Sequence, residues 1–189
     1  MTDVEFDDWV FEHGIQPHTE KIIRQVRDNE PFRRVHGGKS NVAGRYPSRK
    51  MGCMIQFESH QVEFPFAVSF ENDDEILEFY DQPVPVKLTY KNIKGRHLGI
   101  IATPDYFTIQ SNGTAGWEEC KSEEELIRLS IKTPERFCRD EDGFWRSPPG
   151  EQYANEFGLY FKIRSSSEIN WVFFRNLIFL QDYQREETW

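Results

Sequence analysis

Between Ile76 and Lys121 the chain alternates β-type runs with turn signals, and this stretch constrains the fold more than any other. ILEFYDQPVPVKLTY reads as an edge-type strand interrupted at Pro83 and Pro85, because proline cannot donate to a sheet ladder. KNIKG is a turn, RHLGIIATPDYFTIQ a second strand, SNGTAG a second turn and WEECK a short third strand. A three-stranded meander is expected. SEEELIRLSI then opens a helix, with Ser122 as cap and Glu125 at capping-box spacing.

The rest of the chain extends this pattern. EQYANEFG reads as a helix ended by Gly158, LYFKIRS as a strand, NLIFLQDYQ as an amphipathic helix and CRDEDGFWRSPPG as loop. Upstream, TEKIIRQVRDN predicts a helix capped by Thr19 with Ile22, Ile23 and Val26 on one face. VHGGKSNVAGRYPSRKMG, dense in Gly, Ser, Asn and Pro, predicts a loop or arm. SHQVEFPFAVSFENDD fits two elements. Val62, Phe64, Phe66, Val68 and Phe70 alternate as in a strand, yet a helix would also bury most of them, with Pro65 near its start. The economical architecture is α/β: a mixed central β-sheet flanked by helices.

With 189 residues, 38% of them hydrophobic, the chain can build one compact domain with a sizeable core. An N-terminal helix and basic arm over 1–50 would precede a core over 51–189. No apolar run approaches the ~18 residues of a membrane span, so no membrane partner is expected. The start, MTDVEFDDWVFEHG, is acidic and unlike a signal peptide. Three cysteines without a CxxC pair suggest free thiols in a reducing compartment, hence a soluble cytoplasmic protein.

Charge is segregated. From Lys21 to Lys50 nine bases face only Asp28 and Glu30, a net +7; from Gln56 to Gln82 eight acids and no base give −8. The basic stretch could hold phosphates, although a solvated helix and loop would look the same. Arg45, Arg49 and Lys50 lie in a glycine-bearing loop shortly before Glu63 and are the best placed bases to grip a DNA backbone.

The chemistry-bearing set lies around the second turn. Side chains alternate along a strand, so Glu119 and Lys121 share a face, and a hairpin through SNGTAG can bring Asp105 beside Glu119. Two carboxylates and a backbone carbonyl make the all-oxygen site that Mg²⁺ prefers, and a neighbouring lysine can offset phosphoryl charge. That combination suits phosphodiester hydrolysis. An exposed hairpin with an ordinary salt bridge is the competing reading.

Taken in order, Glu63 in ESHQVEFPF, then EILEFYDQP, TPDYF and EECK resemble the PD-(D/E)xK nuclease superfamily, and within it the TnsA endonucleases of heteromeric bacterial transposons. GLYFKIRSSSEIN…RNLIFLQDY is similar to the stretch that follows the active site in that family. The resemblance covers roughly two thirds of the chain. It implies a restriction-endonuclease-like fold over 51–189 and a Mg²⁺-dependent DNA endonuclease (Mn²⁺ substituting, one or two ions) that nicks the 5′ ends of a transposon. The implied partners are double-stranded transposon-end DNA, a TnsB-like DDE transposase and a TnsC-like AAA+ ATPase in a bacterial cytoplasm. By position, Glu63, Asp105 and Glu119 would ligate metal with the Cys120 carbonyl, and Lys121 would be the catalytic lysine. It also favours a helix at SHQVEF.

Glu58 competes with Glu63, but the distance to Gln82 and Pro83 favours Glu63. Some TnsA proteins carry Gln where Glu119 stands, and the winged-helix-like region of some relatives has no counterpart unless the chain is a fragment. The other readings kept open are a different PD-(D/E)xK restriction or repair nuclease, and a non-catalytic DNA- or protein-binding module on the same fold. His36, His60 and His97 are too dispersed for a metal cluster. Cys53, Cys120 and Cys138 read as inert thiols, Trp117, Trp145 and Trp171 as core, and Gln82 as either a support for the active-site face or a turn-closing amide.

Overall fold

The computed structural model describes residues 1–35 and 42–184, with the side chains of 182–184 left aside. His36 and Lys39 therefore lie outside the described residues. Two helices open the chain, α1 (Asp3–Glu12) and α2 (Pro17–Asp28), followed by a hairpin of β1 (Gly44–Ser48) and β2 (Cys53–Phe57). Helix α3 (Glu63–Glu71) leads into β3 (Ile76–Asp81), then the hairpin β4 (Val86–Lys91) and β5 (His97–Ala102), then β6 (Tyr106–Gln110) and β7 (Ala115–Lys121). After α4 (Glu123–Lys132) come the two-residue strands β8 (Cys138–Arg139) and β9 (Trp145–Arg146), α5 (Pro148–Asn155), β10 (Tyr160–Ser165) and α6 (Trp171–Gln184).

The central sheet runs β10-β7-β6-β3, with β10 parallel to β7 and the other pairs antiparallel. It is a mixed sheet flanked by helices, as expected of an α/β chain. Alternation along the strands sends side chains to two cores. Phe107, Ile109, Trp117, Phe161 and Ile163 meet α1, α2 and the β4–β5 hairpin through Phe6, Trp9, Ile23, Val86 and Leu88. Tyr106, Cys120, Ile76 and Phe79 meet α3, α6 and the β1–β2 hairpin through Phe66, Val68, Phe70, Phe174 and Ile55. Gly116 marks the tightest approach: a Cβ there would lie 2.1 Å from the Tyr160 carbonyl oxygen on β10.

The expected three-stranded meander is replaced by five strands in two sheets. Pro83 and Pro85 do not merely weaken a strand; the chain leaves the central sheet after Asp81 and returns only at Tyr106, so β3 pairs with β6 and β4 with β5. Of SHQVEF only Glu63 and Phe64 are helical: His60–Val62 form a turn, and α3 starts at Glu63, with Pro65 in its first turn where a missing N–H costs nothing. Thr19 does not cap α2. Pro17 starts the helix, Gln16 is its N-cap, and buried Thr19 donates to the Phe157 carbonyl at 2.5 Å. Ser122 caps α4, accepting from the Glu125 N–H. The 138–150 loop contains the β8–β9 bridge and the start of α5.

Helix α1 escaped the sequence reading because its core contribution is only Phe6 and Trp9 among acidic residues. Its anchors are tertiary: Trp9 Nε1 donates to the Gln110 carbonyl, and Arg27 reaches from α2 over the Phe6 ring.

The segregated charges largely answer one another. Buried Glu78 on β3 accepts from Arg27 at 3.0 Å and from the N-terminal ammonium at 2.9 Å, and Arg33 pairs with Glu58 at 2.9 Å. Glu71 accepts the backbone N–H groups of Arg49 and Lys50. The basic stretch is thereby stitched to the acidic one, in addition to whatever surface it offers. Among the described residues no helix is long and apolar enough to cross a membrane.

Candidate functional site

The antiparallel register of β6 and β7 places Tyr106 opposite Glu118, so one step beyond the ladder Asp105 stands opposite Glu119. The Asp105 N–H donates to the Glu118 carbonyl at 3.0 Å, continuing the pairing, and Asp105 Oδ2 accepts the Cys120 N–H at 2.7 Å. Lys121, two residues past Glu119 on the same face, holds Glu119 Oε1 at 2.9 Å. Glu63 comes from the N-terminus of α3. Its Oε2 accepts the Glu58 N–H at 2.7 Å, and its carbonyl receives the hydroxyl of fully buried Tyr106 at 3.2 Å.

These four residues share one electrostatic environment. Burial pushes the Asp105 carboxyl well up, helped by the negative charges of Glu63 and Glu119 and opposed by the Cys120 N–H and Lys121. Glu63 is pushed up to about 7, chiefly by burial and then by Glu58, with the Glu58 N–H, Arg33 and Lys121 pulling the other way. For Lys121, burial works against the ammonium, but Glu119 and Asp105 outweigh it and raise the pKa, so it is a cation at neutral pH. Carboxylates crowded out of water with little countercharge are the arrangement that cations relieve.

The donor chemistry fits a hard divalent cation. Each of Glu63 and Asp105 has one oxygen anchored by a backbone N–H, and with Glu119 the three carboxylates offer only oxygen donors, the type such a cation prefers. Among the described residues no group of three or more His, Cys, Asp or Glu side chains is placed to hold a metal ion as the side chains stand. Glu119 is engaged by the Lys121 ammonium at 2.9 Å.

Glu58 sits at the rim. Its carboxylate is forked on the Arg33 guanidinium, and only its backbone N–H touches Glu63. The proposed bases separate from one another. Arg45 is exposed on β1 and Arg49 is exposed just beyond it. Lys50 points inward: its ammonium donates to the carbonyls of Phe70, Asp73 and Ile76 at 2.7, 2.6 and 2.5 Å, and burial lowers its pKa. As a surface grip on DNA, Lys50 is therefore corrected to an internal clamp between β1 and the α3–β3 turn.

Sequence reasoning counted Arg33 in the basic stretch without singling it out, and it left Gln82 open. Its side-chain amide pairs with Arg33 and makes no turn-closing bond. Its N–H donates to the Asp105 carbonyl at 2.9 Å, its carbonyl accepts from Phe32 at 2.9 Å, and its Oε1 accepts from Arg33 Nε at 2.7 Å. The QP pair after an apolar strand was the only available signal.

The remaining singled-out residues fall outside the site. His60 is exposed and packs on Phe57 and Phe64, while His97 is exposed on β5. Trp117 and Trp145 are core, but Trp171 is 42% exposed at the start of α6. Cys53 is exposed, Cys138 half-buried and Cys120 buried, its thiol pushed well up by burial. On the opposite face of β7, fully buried Glu118 is closed into a network with Arg164, Thr108 and Tyr160. An apolar cavity of about 530 Å³ behind Gln82, lined by Ile22, Val26, Met54, Phe79 and Trp117 among others, is not lined by any of the four site residues.

No protein-family model matches the chain, and no curated protein matches it.

Proposed function

We propose that this chain is a divalent-metal-dependent DNA endonuclease of the PD-(D/E)xK type with a restriction-endonuclease-like fold, acting in the manner of TnsA on the 5′ ends of a transposon. The observation that carries the reading is the convergence of Glu63, Asp105, Glu119 and Lys121 from a helix start and two adjacent strands. The order and spacing of the motifs carrying the TnsA resemblance support the narrower assignment. TnsB-like and TnsC-like partners and bacterial cytoplasmic action belong to that same proposal.

Glu63, Asp105, Glu119 and the Cys120 carbonyl would hold Mg²⁺, which when bound polarises a phosphate and makes bound water nucleophilic near neutral pH. The chain's own groups do the rest. The N–H groups of Glu58 and Cys120 fix the carboxylates before substrate arrives, so little reorganisation accompanies the reaction. Lys121, cationic and held by Glu119, is placed to balance charge developing on the phosphoryl oxygens. It is not a proton acceptor at neutral pH. Exposed Arg45 and Arg49 lie on the hairpin packed against α3 and could contact the backbone away from the cut.

The deciding experiment incubates the purified chain, alone and with a cognate transposase, with supercoiled DNA bearing element ends. Mg²⁺- or Mn²⁺-dependent nicking that is lost in Asp105→Ala is expected. A folded wild-type chain that cuts nothing under any of these conditions rejects the reading in favour of a non-catalytic module.

A further inference from the structure

Residues 32–35 cross the edge of the molecule beside the carboxylates, tied down at Phe32, Arg33 and Val35. The Phe32 N–H donates to the Gln82 carbonyl at 2.9 Å, Arg33 bridges Gln82 and Glu58, and the Val35 N–H donates to Gln56 Oε1 at 3.1 Å. Gln56 in turn donates to buried Asp81 at 3.1 Å. The strap therefore runs over the ends of β2 and β3 and delivers one guanidinium to the rim of the site.

We propose that Arg33 grips a DNA phosphate next to the reacting carboxylates, with Glu58 holding its guanidinium in place until that phosphate arrives. This deepens, and rests on, the nuclease reading above. Three observations carry it.

The first is position and exposure. The Arg33 side chain is 40% exposed and Glu58 29%, yet the guanidinium is near enough to Glu63 to act on its charge. A phosphate bound there would lie over the acidic group and within reach of solvent.

The second is exchangeability. The Arg33–Glu58 pair faces solvent on one side, where water and salt screen it, so a phosphate can compete with Glu58 for the guanidinium. The flat fork of an arginine matches two phosphate oxygens as well as it matches two carboxylate oxygens.

The third is Gln82. Among the described residues it is the only non-glycine with positive φ, +48°, a strained conformation that persists because its bonds to Asp105, Phe32 and Arg33 hold it on three sides. It is 2% exposed, and its Nε2 is the one buried side-chain polar atom without a hydrogen-bond partner among the described residues. Gln82 thus fixes Arg33 relative to the backbone of Asp105.

The test measures binding of the full chain to a short duplex oligonucleotide across a KCl series without divalent ion, then nicking with Mg²⁺. Arg33→Ala should lower the slope of log K against log salt by about 0.9, the loss of one phosphate contact. Arg33→Lys should keep the slope but lose several-fold in kcat, and Glu58→Gln should tighten binding several-fold. An unchanged slope in a folded Arg33→Ala overturns the proposal. If that variant melts early, Glu58→Gln decides: unchanged or weaker binding overturns it. Absence of any duplex binding by the wild type at low salt overturns it as well. Wild-type binding with the expected slope change but no cutting keeps Arg33 as a phosphate contact and removes only the nuclease reading. Wild-type cutting that is indifferent to Arg33 does the reverse.

Discussion

The backbone N–H of Cys120 donates to Oδ2 of Asp105 at 2.7 Å, so the carboxylate at the start of β6 is held by the strand that carries Glu119 and Lys121. The distance between the groups that would do the chemistry is consequently set by sheet register and not by flexible side chains. A slip of one residue between β6 and β7 would send Glu119 and Lys121 to the opposite face.

Asp105 is the residue whose loss should separate chemistry from folding. Asp105→Asn keeps an acceptor for the Cys120 N–H while removing a buried charge crowded by Glu63 and Glu119. Nicking should fall by roughly 100-fold or more. Stability by chemical denaturation should be unchanged or higher, by about 1 kcal/mol. A marked loss of stability would show that the carboxylate is structural.

Glu63 links stability to pH. Its carboxyl is pushed from 4.5 to about 7 on folding, so the proton is bound more tightly in the folded state. The stabilisation is complete below pH 4.5 and is lost as pH rises through about 7. Arg33 and Lys121 oppose this shift and Glu58 adds to it. Metal-free protein should therefore melt at progressively lower temperature across that window, and Glu63→Gln should flatten the profile. Nicking should follow the opposite trend, rising toward alkaline pH as the carboxylate ionises.

Lys121→Met should abolish nicking and also cost about 2 kcal/mol, because Glu119 and Asp105 lose the ammonium that balances them. The charge-retaining Lys121→Arg should recover the stability without the activity. Paired denaturation and nicking assays check both halves.

Lys50 and Arg45 should part company. Lys50→Ala removes three bonds from an ammonium to backbone carbonyls and should destabilise by roughly 2 kcal/mol. Arg45→Ala, on the exposed side of β1, should leave the melting temperature alone and weaken DNA binding in a salt-dependent way. Equal effects of the two variants on the salt slope would contradict this division.

Arg27→Ala should be strongly destabilising although Arg27 lies in a charged helix. It leaves buried Glu78, which also takes the Tyr80 hydroxyl and the N-terminal ammonium, short of its main cation. The expected loss is about 3 kcal/mol, read by denaturation. It would show that the N-terminal helices belong to the same cooperative unit as the sheet.

Local pattern alone was enough for several elements: the turns at KNIKG and SNGTAG, the Ser122 cap, the strand at LYFKIRS and the shared face of Glu119 and Lys121 all follow from turn chemistry and the two-residue strand period. Short-range rules reach no further than the next few residues. Which strands pair is decided by where the chain leaves and re-enters the sheet, so β3 found β6 across the intervening β4–β5 hairpin. Whether VEFPFAVSF became helix depended on the surface waiting for it, and six of the nine residues of α3 are buried, on more than one side. Arg27, Arg33 and Lys50 read alike as members of one basic run, yet one is buried on Glu78, one is forked on Glu58 and one is clamped on three carbonyls. A charge in a sequence carries no address; its partners, and with them its role, are assigned only when distant segments meet.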